Sequence, residues 1–99
     1  MSSIFVITTV EDIENDVPYL QYPCNAGWYS SFEAADRVVK NNQADLWETC
    51  YNYAIIEEIT EGLYGAKREA WFYKYDEDKG EYYPIDRPKG LEHMCSFWT

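Results

Sequence analysis

Ninety-nine residues can build one hydrophobic core and not two, since a chain of this size buries only about 60–70% of its unfolded surface. A composition 46% hydrophobic and 18% aromatic excludes a disordered chain, because disordered segments are poor in those residue types. Eighteen acidic against eight basic residues leave a net charge of −10, which argues against docking to phosphate backbones or anionic lipid and favours a positively charged protein as a large partner.

The amino-terminal stretch MSSIFVITTVEDIE has no basic region before its apolar run and reaches acids by position 11, so it does not read as a signal peptide. Ile4 to Val10 is rich in β-branched residues, which pack well on a pleated surface, and predicts a first strand. EDIENDVPYLQYPCNAG holds two prolines, a glycine and four acids and reads as a long exposed loop. A brief strand is expected around Ala26 to Tyr29. Ser30-Ser31-Phe32-Glu33 fits a capping box, and Phe32, Ala35, Val38 and Val39 then form one apolar helical stripe that Asn41-Asn42 ends. QADLWETC, with Leu46, Trp47 and Cys50 on one side, predicts a second short helix.

From Tyr51 onward the side chains alternate as on a strand. Tyr51, Tyr53, Ile55, Glu57 and Ile59 fall on one face; Asn52, Ala54, Ile56, Glu58 and Thr60 fall on the other. EGLYGAKRE is a loop, and AWFYKYDEDKGEYYPI reads as a hairpin with arms Ala70 to Tyr75 and Glu81 to Ile85 around a DEDKG turn. Pro84 marks its last arm as an edge strand. Leu91, Met94, Cys95 and Trp98 have near-helical spacing and predict a short helix or ordered tail. The expected fold is a single α+β domain over residues 1–99: an antiparallel sheet, order about β-β-α-α-β-β, with helices packed on one face.

The chemistry-bearing residues do not assemble into a reaction centre. Glu57 and Glu58 are adjacent on a strand and point opposite ways, so they do not converge as a general acid and base would. Asp76-Glu77-Asp78-Lys79-Gly80 resembles the start of a calcium loop, but glycine arrives at the fifth position where that loop needs it at the sixth. Cys24, Cys50, Cys95 and His93 contain only one closely spaced ligand pair, where structural zinc sites usually carry two. An odd number of scattered cysteines reads as reduced thiols in a cytosol. No apolar run nears the roughly 20 residues that span a bilayer. The expectation is a cytoplasmic protein that is not an enzyme, with no catalytic residue, metal or cofactor.

Two features point to binding. The rings Trp28, Tyr29, Trp47, Tyr51, Tyr53, Trp71, Tyr73 and Tyr75 mostly serve core packing, and an exposed remainder would mark a protein interface. The acids gather at Glu11, Asp12, Glu14 and Asp16, at Glu57, Glu58 and Glu61, and at Asp76, Glu77, Asp78 and Glu81. Such runs commonly only solvate a face, but carboxylates on a rigid sheet can also imitate nucleic-acid phosphates in a basic groove. The candidate partner-binding residues are Glu57, Glu58, Glu61, Asp76, Glu77, Asp78, Trp71 and Tyr73.

IFVITTVEDIE, GWYSSFEAADRVVKNN and YNYAIIEEITEGLYG together resemble small acidic proteins of gut Firmicutes and their phages and prophages, over about two thirds of the chain. The resemblance implies a phage or mobile-element origin, where small acidic domains are often inhibitors of host defence, anti-CRISPR proteins among them. It transfers no catalytic residue. The expected function is a non-catalytic inhibitor that docks a basic host protein, a nuclease or other defence component in the host bacterial cytosol, with no direct contact to nucleic acid or membrane and with a homodimer allowed. The alternatives are an oligomeric small-molecule or nucleotide sponge with a pocket between subunits lined by Trp28, Tyr51 and Arg68, or a housekeeping interaction module.

Overall fold

A computed structural model describes residues 3–14, 17–19, 24–48, 50–60 and 67–86. The strands are β1 (Ser3–Val10), β2 (Asp12–Glu14), β3 (Val17–Tyr19), β4 (Cys24–Tyr29), β5 (Tyr53–Thr60), β6 (Lys67–Asp76) and β7 (Glu81–Ile85), with one helix, α1 (Phe32–Lys40), between β4 and β5. Five strands form an antiparallel sheet in the order β4-β1-β5-β6-β7, and β2 pairs with β3 in a separate two-stranded ribbon.

The sequence of β5 explains its place at the centre. Ala54, Ile55 and Ile56 are consecutive and all buried, as a strand covered on both faces requires. On one face Ile7, Ala54, Ile56, Tyr73 and Tyr82 pack with Ala35 and Val39 of α1, so the helical stripe meets the sheet as its spacing predicts. Phe5, Phe32 and Trp71 close one end of this layer, the Phe32 and Trp71 ring centroids lying 4.4 Å apart. On the other face Val10, Ile55 and Phe72 form a second cluster, flanked by Tyr53, Ala70 and Ile85.

Three expectations need correction. The domain is mostly sheet with one short helix among the described residues, not a β-β-α-α-β-β arrangement with several helices. In the described part of the segment expected as a second helix, 43–48 and Cys50, the chain instead runs through turns: Ala44, Asp45 and Glu48 have positive φ, as does Asn42 just before them. Local polar bonds win there: the Trp47 amide donates to Asn42 Oδ1 at 2.9 Å, and the Trp47 indole donates to Asn52 Oδ1 at 3.1 Å while its ring stacks on Tyr75 at 4.4 Å. Where a long loop was expected, Asp12 to Tyr19 contains the β2–β3 ribbon, whose three-residue strands are too short to show a readable alternation.

The helix cap also shifts by one residue. Ser31, not Ser30, is the N-cap, and its hydroxyl accepts from the Ala34 amide at 3.3 Å, so Ala34 occupies the place a capping box gives to glutamate. Pro84 does lie on an edge strand, β7. The expected tail helix around Leu91 to Trp98 lies outside the described residues.

Candidate protein-interaction surface

Among the described residues the clearest concentration of exposed charge stands on the β6–β7 hairpin, and the turn that builds it is encoded in DEDKG. Asp76 Oδ1 accepts from the Asp78 amide at 3.0 Å and the Lys79 amide at 3.3 Å, and the Gly80 amide donates to the Asp76 carbonyl at 2.8 Å. Gly80 has φ +70, a conformation glycine adopts without penalty. One oxygen of the Asp76 carboxylate, Oδ1, is therefore committed to the turn, while Glu77, Asp78, Lys79 and Glu81 stand exposed.

Strand register then sets acids against each other. Asp76 lies directly opposite Glu81, a like-charge cross-strand pair that is unfavourable unless a cation attends it. Asp76, Lys79, Glu81 and Tyr83 line an open cleft of about 260 Å³, and Tyr83 is 42% exposed beside it. Tyr83 faces Lys74 across the ladder, and the Lys74 ammonium lies 5.8 Å from the Tyr53 ring centroid. A cationic side chain entering this cleft would meet Asp76 and Glu81 beside Lys79 and Tyr83.

The other sequence-predicted residues fall elsewhere. Glu57 is 1% exposed on the second face, opposite Val6 and Ala70, which corrects its assignment to a partner-facing surface. Tyr73 is likewise buried, at 2%, and donates its hydroxyl to Asp36 Oδ1 at 2.6 Å, while Trp71 packs against the core between Phe5 and Phe32. Both rings act in packing, because β6 is an interior strand whose helix-side positions meet α1. Glu58 is half-buried on the helix face and lies opposite exposed Glu69, and Glu61 is outside the described residues.

These acids do not form one surface with the hairpin tip. Glu58 is in register with Glu69, and Asp76 stands seven residues further along β6, roughly 23 Å away at the rise of a strand. The structure thus brings Asp76, Glu77, Asp78 and Glu81 together and sets Glu57 and Glu58 apart from them.

Among the described residues two large rings are exposed, one on each edge strand of the five-stranded sheet. Trp28 is 62% exposed on edge strand β4 and Tyr83 is exposed on edge strand β7. Tyr83 was missed by sequence reasoning; its only signal was that Glu81, Tyr83 and Ile85 share one face of an edge strand. Tyr51 is buried, its carbonyl accepting from the Tyr82 hydroxyl at 2.6 Å, while the Arg68 side chain lies outside the described residues. Cys50 is exposed. Among the described residues no helix is long and apolar enough to cross a membrane, and no group of three or more His, Cys, Asp or Glu side chains is placed to hold a metal ion. No protein-family model, no curated protein and no solved structure matches this chain.

Proposed function

We propose that this chain is a non-catalytic binding protein that docks a basic protein partner through the acidic end of the β6–β7 hairpin. The observation that carries the reading is the opposition of Asp76 and Glu81 across the ladder, with Glu77 and Asp78 exposed at the tip and Tyr83 beside the cleft. Among the described residues Lys79 is the base that lines the cleft with these opposed carboxylates, and a lysine or arginine supplied by a partner would relieve their repulsion further. The net charge of −10 draws such a partner in and discourages nucleic acid.

Within this reading the hairpin acids occupy the positions that phosphates would take in the groove of a nucleic-acid-handling protein. The partner class is a host nuclease or other defence component in the bacterial cytosol, and the protein acts as an inhibitor of phage or mobile-element origin, of the anti-CRISPR kind. Glu57, Tyr73 and Trp71 support the platform, and the contact is made by Glu77, Asp78, Glu81 and Tyr83.

Affinity capture from a bacterial lysate, run at low and high salt with mass spectrometry of the eluate, tests it. Basic proteins retained at low salt and released at high salt support the docking. Capture that is unchanged by salt, or that returns only neutral and acidic proteins, contradicts it.

A further inference from the structure

We propose that β4 is a self-association edge at which two copies of this chain pair antiparallel, Gly27–Tyr29 of one strand beside the same residues of the other, about a twofold axis at Trp28. The two edges of the five-stranded sheet are unlike. β7 carries Pro84, which cannot donate to a further strand, and Glu81, and is followed by exposed Asp86; each is a feature that blocks strand addition. β4 pairs only with β1 among the described residues. From Cys24 to Ser31 the sequence CNAGWYSS has neither a charge nor a proline.

Charge selects the occupant. An isologous contact sets each residue near its own copy, so a charged strand on a chain of net charge −10 would repel itself. β4 is neutral throughout, which suits a second copy and offers nothing to the cationic partner proposed above. The large apolar side chain needed for such a contact is present in Trp28, 62% exposed on the second face opposite Val6.

The register follows from two local features. A bulge where Ile7/Thr8 meet Gly27/Asn25 leaves Ala26 without a partner on β1 and divides the ladder into Cys24–Asn25 and Gly27–Tyr29, of which the second is the longer regular run. Centring on Trp28 then places Gly27 of one strand opposite Tyr29 of the other, both on the helix side. A Cβ at Gly27 would meet nothing within 4 Å, and the adjoining open cleft of about 250 Å³ is lined by Ile7, Val38 and Leu46. The exposed part of the incoming Tyr29 ring fills that space, and the two Trp28 rings meet on the opposite face.

Sedimentation or native mass spectrometry from micromolar to millimolar protein tests this at low and high salt. The expected result is a doubling of mass with concentration, favoured by added salt because salt screens the repulsion between two acidic copies. Trp28→Lys changes an exposed side chain and Gly27→Val occupies space that is open in the single chain; each is expected to weaken the dimer at least about tenfold while the circular dichroism spectrum is unchanged. Tyr83→Lys, on the other edge, leaves it intact. A monomer at every concentration and salt, or a dimer lost in Tyr83→Lys and kept in Trp28→Lys, overturns the proposal.

Discussion

The Tyr73 hydroxyl donates to Asp36 Oδ1 at 2.6 Å, joining an interior strand of the sheet to the helix that covers it. The second oxygen of the same carboxylate pairs with the Lys40 ammonium at 3.1 Å, so Asp36 is engaged from both sides. Hydrogen bonds to a charged group are worth more than neutral ones. Tyr73→Phe is therefore expected to lower stability by about 1.5–2 kcal/mol. A double-mutant cycle with Asp36→Ala in urea should return most of that as coupling, and a coupling near zero would show that the contact does not tie α1 to β6.

Alkali attacks the same layer. Burial, then the hydrogen bond and negative charge of Asp36, push the Tyr73 hydroxyl far above its ordinary 10.0, and burial pushes Tyr82 up as well. Both phenols hold their protons in the folded chain at a pH where an unfolded chain releases them. Stability is thus intact below pH 10.0 and falls as pH rises past that value, by about 1.4 kcal/mol per pH unit for each tyrosine. Absorbance of tyrosinate followed against pH should show these two rings titrating together with the loss of sheet signal. Titration of all ten tyrosines near 10 with the fold retained would contradict the placement.

Glu57 and the hairpin acids separate stability from binding. Glu57→Lys places an ammonium at a site 1% exposed and is expected to destabilise by several kcal/mol, enough to unfold a domain of this size. Glu77→Lys and Asp78→Lys change exposed side chains and should leave the midpoint of thermal unfolding nearly where it was. A folded, unperturbed Glu57→Lys protein would refute the buried assignment.

The turn itself offers a cleaner steric test. Gly80 has φ +70, and a Cβ there would meet only Tyr75 Oη at 3.8 Å, an ordinary contact. Gly80→Ala is accordingly expected to cost about 1 kcal/mol, the penalty of the left-handed conformation and not of a clash. Urea unfolding measures it, and a loss several times larger would mean that the hairpin is more tightly coupled to the core than its exposure suggests.

The strands were legible where alternation was long and the residues β-branched, as in Ile4 to Val10 and Tyr53 to Thr60, and the hairpin was legible from Gly80 and the acids before it. What alternation cannot say is that both faces of β5 are covered, since Glu57 looks like any exposed strand acid until the register sets it between Val6 and Ala70. The 42–48 segment misled for a related reason. Leu46 and Cys50 have helical spacing with Trp47 beside them, but Asn42 and Asp45 accept left-handed backbone and their side chains bond locally, which no periodicity records. Of the candidate site, the acids at the tip were readable from composition alone, whereas the pairing of Asp76 with Glu81 and the exposure of Tyr83 needed the ladder.

The most direct measurement of the docking is the salt dependence of capture for the wild-type chain beside a variant carrying Glu77→Lys, Asp78→Lys and Glu81→Lys together. The wild-type chain should retain a basic partner at low salt and lose it steeply as salt rises, and the folded triple variant should lose it at every salt. Undiminished retention by the triple variant would show that the hairpin acids serve only to solvate the surface.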